Sequence, residues 1–95
     1  MNPMKPDEIR AALESLPHWT RRKSIISRTF SFADFLAAMK FVNRVARAAE
    51  KACHHPDIDI RWNRVTLALT THDAGGLTRK DFELAHRCDR LAERD

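Results

Sequence analysis

The fold is decided by one stretch of the chain, SIISRTFSF at residues 24–32 followed by ADFLAAMKFVNRVARAAEKA at residues 33–52. In its first part, apolar side chains recur at every second position, at Ile26, Phe30 and Phe32. Successive side chains of a strand point to opposite faces, so this alternation predicts a strand over 24–32 with one buried face. Arg28 falls on the same side and interrupts that apolar face.

The second part changes to helical spacing, which predicts a helix over residues 33–52. The predicted apolar stripe consists of Phe35, Ala38, Met39, Val42, Val45, Ala46 and Ala49. The predicted basic face consists of Lys40, Arg44, Arg47 and Lys51. Pro56 sets the latest residue at which this helix can end.

Before this stretch, residues 7–16 have the pattern of a short amphipathic helix with Pro6 in its first turn and Pro17 as its stop. Residues 19–22 are predicted to form a short strand that joins the first long strand through a turn at Arg22-Lys23.

After it, residues 58–63 and 64–72 look like two antiparallel strands, the second with Val65, Leu67, Leu69 and Thr71 on one face. The loop 73–76 contains two glycines that tolerate positive φ. Thr78 is predicted to cap a last helix, with Asp81 answering it at the N3 position. Its predicted buried stripe includes Phe82, Ala85, Cys88 and Ala92.

This order, α-β-β-α-β-β-α, predicts an α+β fold in which helices pack on one face of a four-stranded antiparallel sheet. A chain of 95 residues is expected to form a single domain over 1–95. Its core is small enough that association into a homodimer or homotetramer would help to stabilise it.

Composition narrows the function classes. The chain is 43% hydrophobic and 32% charged, which fits a folded globular protein. No apolar run has the length of a membrane span, and the first residues lack a signal-peptide pattern, so a cytoplasmic location is expected. In that compartment Cys53 and Cys88 are expected to be free thiols. The net charge of +4 permits anion binding, but no nucleic-acid motif accompanies the basic clusters, so a nucleic-acid partner is not expected.

The candidate chemistry lies in the histidines. His54 and His55 precede Pro56 just after the long helix, and His72 is predicted to end a strand and lead into the glycine loop. Imidazoles exchange protons near neutral pH, which favours a site of acid–base catalysis if the three rings converge. Taken alone, each histidine could also be an ordinary surface or core residue, which is how we interpret His18 and His86.

A metal site is the alternative for the same residues. Possible ligands are Cys53, His54, His55, His72, Asp73, His86 and Cys88. No pair of them has zinc-finger spacing, and adjacent histidines rarely bind one ion together, so no metal is expected.

The chain resembles the pterin-4a-carbinolamine dehydratase family over nearly its whole length. The resemblance is carried by Leu16-Pro17-His18-Trp19, Ile26-x-Arg28-x-Phe30-x-Phe32-x-x-Phe35, Phe41, Val45-Ala46, Ala49-Glu50, His54-His55-Pro56, Trp62-Asn63-x-Val65, Leu69-x-Thr71-His72, Gly76-Leu77-Thr78-x-x-Asp81 and Ala85. The ordered set of His-His-Pro, Thr-His and Gly-Leu-Thr-x-x-Asp is specific, whereas each motif alone is weak.

The resemblance implies the fold described above and the dehydration of 4a-hydroxytetrahydrobiopterin to quinonoid dihydropterin, a step in tetrahydrobiopterin recycling that uses no cofactor. It also implies dimers or tetramers. The implied catalytic residues are His54, His55 and His72, with His55 and His72 sharing the acid and base work and His54 orienting the substrate. Implied substrate contacts come from Glu50, Pro56, Thr71 and Asp73, with Glu50 binding the pterin or tuning an imidazole. Asp81 is expected to cap its helix, and Trp19 to belong to the core.

Two positions depart from the family pattern. His18 replaces the glycine before Trp19, and Cys53 stands where an acidic or amide residue often precedes the histidines. Two other functions stay open on the sequence: a pterin-binding or regulatory module without turnover, and action on a related pterin in molybdenum-cofactor metabolism.

Overall fold

The computed structural model describes residues 2–94. Its elements are α1 (Pro6–Leu13), β1 (Thr20–Arg22), β2 (Ile25–Ser31), α2 (Phe35–Ala52), β3 (Asp57–Arg61), β4 (Arg64–Leu69), a 3-10 turn (His72–Ala74) and α3 (Arg79–Ala92). The strands form one antiparallel sheet in the order β1-β2-β4-β3. The predicted α+β fold and element order are confirmed.

The sheet confirms the alternation of β2 and β4. Ile26 pairs with Leu69 and Phe30 with Val65, and all four side chains are buried. The residues between them in each strand point to the other face of the sheet, as the pleat of a strand requires. These buried side chains therefore form the sheet side of the hydrophobic core and face the helices.

Arg28, which interrupts that apolar face, contacts Asp89 and Phe30. Its Nη1 lies 2.7 Å from Asp89 Oδ1 on α3, and its guanidinium carbon lies 4.2 Å from the ring centre of Phe30. The indole Nε1 of Trp19, which is buried in the core as predicted, donates to the same Asp89 oxygen at 2.8 Å. A planar guanidinium suits this double role, because it pairs with a carboxylate while stacking on an aromatic ring.

Helix α2 packs on the sheet through a row of side chains that includes Ala38, Val45 and Ala49 of the predicted stripe. Its buried residues are Ala38, Phe41, Val45 and Ala49. The ring centre of Phe41 lies 4.7 Å from that of Phe30, so Phe41 is the contact to the sheet. Phe35 is 47% exposed and Ala46 is also exposed, so their predicted burial is wrong.

Two further details of α2 were mispredicted. The helix begins at Phe35 instead of Ala33, because the Asp34 side chain caps it by accepting from the Ala37 N–H at 2.8 Å. Arg44 belongs to the predicted basic face, but it is half-buried and its Nη2 donates to the Leu91 carbonyl at 3.2 Å. Arg44 therefore satisfies a carbonyl at the end of α3, where cations are favourable.

The boundaries of other elements also differ from prediction, including β3, which spans Asp57–Arg61 instead of residues 58–63. Helix α1 starts at Pro6 as expected but ends at Leu13; Leu16 is still buried, in the turn that follows. The β1–β2 turn lies one residue later than predicted, with Lys23 at φ 55°. Strand β4 ends at Leu69, so the prediction that His72 ends a strand is wrong.

The first departure from the family pattern, His18, is explained by the backbone. The non-glycine residues with positive φ between positions 2 and 94 are Lys23, Cys53 and Trp62. His18 is not among them, so nothing in its backbone conformation requires glycine.

The last helix has the predicted capping arrangement, in which the Thr78 N–H donates to Asp81 Oδ2 at 2.9 Å. Phe82, Ala85 and Cys88 are buried as predicted. Both cysteines are free thiols, also as predicted, and burial raises the pKa of Cys88 to about 12. Across residues 2–94, no helix combines the length and apolarity needed to cross a membrane.

Candidate active site

A cavity of about 250 Å³ lies where the end of α2, the segment after β4 and the start of α3 meet. We call it the histidine cavity, and its lining consists of Cys53, His54, His55, Thr70, Thr71, His72, Asp73 and Lys80. The structure thus brings the three predicted catalytic histidines together with Thr71 and Asp73. The two remaining predicted site residues, Glu50 and Pro56, are not part of this lining.

The turn that aims both adjacent histidines at one cavity is built on Cys53. Cys53 adopts the left-handed conformation, with φ 53° and ψ 39°, and ends α2. The His54 N–H then donates back to the Ala49 carbonyl at 3.1 Å. This is a common way to end a helix and redirect the chain. Asparagine and aspartate adopt this conformation more readily than other non-glycine residues, which explains the amide or acidic residue expected there.

His54 is locked by a buried carboxylate. Its Nε2 lies 2.6 Å from Oδ1 of Asp81, whose side chain is fully buried, while the His54 side chain is 11% exposed. The other oxygen of Asp81 accepts from the Thr71 hydroxyl at 2.8 Å and from the Thr78 N–H at 2.9 Å. Oδ2 of Asp81 is therefore an acceptor, and in the ionised carboxylate Oδ1 is an acceptor as well.

This network assigns the His54 tautomer. Because Asp81 accepts, His54 Nε2 must carry a proton and donate it. His54 Nδ1 has no hydrogen-bond partner within residues 2–94. The Thr71 hydroxyl gives its hydrogen to Asp81, so the 2.8 Å contact between the Thr71 and Thr78 hydroxyls has Thr78 as its donor. His54 is thus held rigidly with Nδ1 as its free nitrogen.

Asp81 is the main residue that we did not predict for the site. It was expected only to cap α3, and it does so, but the same carboxylate also holds His54. The Gly-Leu-Thr-x-x-Asp motif was the available indication, since it placed Asp81 in the same ordered set as the histidines. Lys80, which also lines the histidine cavity, had no comparable indication in the sequence.

His55 also forms a hydrogen bond with a carboxylate, but this pair is exposed to solvent. Its Nε2 lies 2.6 Å from Glu50 Oε1, and the two side chains are 62% and 78% exposed. Glu50 therefore contacts an imidazole, one of its two predicted roles, from outside the histidine cavity. An exposed pair of this kind holds its partner less firmly than a buried one.

His72 lies in the short segment that closes the other side of the histidine cavity. It begins the 3-10 turn after β4 and is exposed, as is Asp73 beside it. Gly75 ends that turn at φ 74°, where the N–H of Gly75 donates to the His72 carbonyl at 3.0 Å. Within residues 2–94 the His72 ring has no hydrogen-bond partner, which leaves both its nitrogens available to a ligand.

The arrangement suits proton transfer better than metal binding. Over the described part of the chain, no group of three or more His, Cys, Asp or Glu side chains is placed to hold a metal ion. The cavity instead offers one locked imidazole and two exposed imidazoles, which suit acid–base chemistry on a small molecule.

Comparison with known proteins identifies the family of this chain. A family model described as pterin 4 alpha carbinolamine dehydratase matches residues 2–91. A protein of Acidobacterium capsulatum is 56% identical over 91 residues, covering 96% of this chain and 99% of its own length. A protein of Chloroflexus aurantiacus is 58% identical over 84 residues, covering 88% and 90%. Both are provisionally named as pterin-4-alpha-carbinolamine dehydratases.

Two solved structures are also similar. The crystal structure of a transcriptional coactivator/pterin dehydratase from Brucella melitensis has a TM-score of 0.92 and 34% identity, covering 96% of this chain and 99% of its own. A pterin dehydratase-like protein described as a RuBisCO assembly factor of the alpha-carboxysome has a TM-score of 0.66 at 20% identity, covering 81% and 89%, and supports the fold alone. From the family model and the close relatives, this chain belongs to the pterin 4 alpha carbinolamine dehydratase family.

Proposed function

We propose that the protein is a hydro-lyase that converts 4a-hydroxytetrahydrobiopterin, a pterin-4a-carbinolamine, to quinonoid dihydropterin and water. The observation that carries the proposal is the lining of one cavity by His54, His55 and His72, with His54 held by a buried carboxylate. The family supports the substrate class. We further propose that the reaction serves tetrahydrobiopterin recycling in the cytoplasm.

The reaction consists of two proton transfers and the loss of one water molecule from the substrate. An acid protonates the C4a hydroxyl, the C4a–O bond breaks and water leaves. A base removes the N5 proton, and the N–H electron pair forms the C4a–N5 double bond. No electrons leave the substrate, so the chemistry requires no redox cofactor. Positioned acids and bases of this kind typically contribute about 10²- to 10⁴-fold in rate.

Exposure supports a division of labour among the histidines. We propose that His55 and His72 share the acid and base work, because both are exposed and can exchange protons with water between turnovers. His54 is nearly buried and fixed by Asp81, so it orients the substrate through Nδ1. Interacting imidazoles titrate as a group, so the acid and base steps belong to the set rather than to one ring.

The remaining predicted residues act around these rings. Asp73 and Thr71 line the histidine cavity and are proposed to contact the pterin edge. Glu50 acts through its hydrogen bond to His55. Pro56, which directly follows His55, limits the backbone conformation of that residue.

The test is the rate of carbinolamine dehydration with the His55→Ala variant, measured with freshly generated substrate against the uncatalysed reaction. We expect a loss of at least about 100-fold, the lower end of the acid–base contribution. His18→Ala is the matched control, because His18 is exposed and lies outside the histidine cavity. A His55→Ala variant that works at the full rate would overturn the assignment.

We also propose that the protein forms a homodimer or homotetramer. Strand β3 is an outer strand of the sheet, and all its residues are exposed. Its Ile58 and Ile60 point toward the helix-bearing face yet are 38% and 37% exposed. A free sheet edge with apolar side chains favours pairing with another chain.

A further inference from the structure

A second cavity, of about 420 Å³, adjoins the histidine cavity and shares two side chains with it, His54 and Lys80. We call it the basic cavity. It lies between the last turn of α2 and the first half of α3, where Lys51, Lys80, Glu83 and Arg87 surround it. Leu84 and two alanines of α2 contribute apolar surface. His54 and Lys80 therefore form the boundary between the two cavities.

The charges of the basic cavity are unbalanced. Three cationic side chains and one carboxylate line it, a formal excess of two positive charges with His54 neutral. Among residues 2–94, neither Lys51, Lys80 nor Arg87 forms an ion pair. The cations of the basic cavity are thus available to a ligand.

We propose that the basic cavity binds a phosphate monoester on the side chain of the pterin, so that the preferred substrates are phosphorylated pterins. This rests on the proposed function, because it assumes that the pterin ring occupies the histidine cavity. A phosphate monoester carries a charge of about −1.5 to −2 at pH 7, which matches the excess of two positive charges better than a monocarboxylate does. Arginine and lysine are the usual partners of phosphate.

The position of Lys80 strengthens the assignment. Lys80 is the second residue of α3, a helix of 14 residues, so it lies at the end of the helix dipole that attracts anions. Because Lys80 lines both cavities, it stands where the ring and its phosphorylated substituent would meet. Lys51 and Arg87 line the basic cavity but not the histidine cavity. Substituting them therefore tests recognition of the phosphate without changing a residue at the histidines.

The test compares the dissociation constants of two stable 7,8-dihydropterins, one with a C6 hydroxyalkyl side chain and the other with the phosphate monoester of that side chain. At low salt we expect the ester to bind about 5- to 10-fold more tightly, since a charge-assisted contact to exposed cations is worth about one factor of ten at most. In the double variant Lys51→Gln/Arg87→Gln this ratio should fall close to one, while the alcohol binds as before. Raising the salt should reduce the ratio in the wild-type protein.

The matched control is Lys40→Gln/Arg90→Gln, which removes the same two charges from the same two helices outside the basic cavity. Lys40 is eleven residues from Lys51, about 16 Å along α2. This control should keep the wild-type ratio. Equal loss in the two double variants, or no preference for the ester in the wild-type protein, would overturn the inference.

Two further measurements distinguish phosphate binding from carboxylate binding and from the proposed dehydratase activity. A carboxylate analogue of equal length that binds as tightly as the ester would overturn the assignment to phosphate. The dehydration rate of the alcohol carbinolamine with His55→Ala tests the proposed function alone, because that substrate has no charge for the basic cavity. Failure of one proposal is thus distinguishable from failure of the other.

Discussion

Two histidines of the site each lie 2.6 Å from a carboxylate oxygen, yet the two carboxylates differ in how firmly they hold the imidazole. The Asp81 side chain is fully buried and holds three donors, whereas Glu50 is 78% exposed and holds one. A buried carboxylate fixes its partner because no water competes for its oxygens, while an exposed one is solvated in any orientation of its partner. Distance alone therefore does not rank these residues.

Asp81→Asn is expected to reduce the dehydration rate by about 100-fold, because His54 would no longer orient the substrate and misplaced reacting groups lose rate on this scale. An amide can present its NH₂ to His54 Nε2, which would move the imidazole proton to Nδ1, the nitrogen proposed to face the substrate. The tautomer of His54 should change in a ¹⁵N NMR spectrum of the histidine rings. An unchanged spectrum and rate would show that Asp81 is only a helix cap.

Glu50→Gln should have a much smaller effect, within about threefold on the rate, because exposed ion pairs contribute little. The amide oxygen of glutamine can still accept from His55, so the contact is kept without its charge. The pH–rate profile is the decisive measurement, and we expect it to keep its shape. A loss as large as that of Asp81→Asn would instead place Glu50 in the chemistry itself.

At the scale of the elements, alternation and helical spacing were sufficient to predict the order and type of the three α-helices and four strands between residues 2 and 94, although not the 3-10 turn at His72–Ala74. On α2 they predicted the burial of Ala38, Val45 and Ala49. They could not predict that Phe41 is buried and Phe35 exposed, because the two side chains are equally apolar and only packing against the sheet decides between them. Arg44 shows the same limit: its partners are carbonyls at the end of α3, nearly fifty residues away in sequence. The candidate site was predicted from motifs, but the buried hydrogen bond between Asp81 and His54 depends on the packing of α3 against the end of α2 and could not be.

The end of α2 provides the element-scale prediction. Cys53 is held at φ 53°, a conformation that costs a typical non-glycine residue about 1 kcal/mol or more and asparagine less. Cys53→Asn should therefore raise the free energy of unfolding by about 0.5 kcal/mol, measured by urea denaturation. Cys53→Val is the matched comparison and should lower it, because β-branched residues disfavour positive φ. Equal stability of the two variants would show that the turn is not under this constraint.

At the scale of the whole molecule, the exposed β3 edge predicts association with another copy of the chain. The wild-type protein is expected to be a dimer or tetramer by light scattering at micromolar concentrations. Ile60→Lys should shift it toward the monomer, since a lysine on an edge strand opposes strand pairing. Ile25→Lys is the matched control, because Ile25 is 42% exposed but lies on β2, away from the β3 edge. A monomeric wild type, or equal effects of the two lysines, would contradict this expectation.

The two thiols give this chain a practical property. Cys88 is fully buried and its pKa of about 12 keeps it protonated, so it is a poor nucleophile in the folded protein. Cys53 is exposed and lines the histidine cavity. A thiol-directed fluorophore would consequently attach at one position without any engineering of the sequence, and that position is beside the site, where its emission can report the arrival of a ligand.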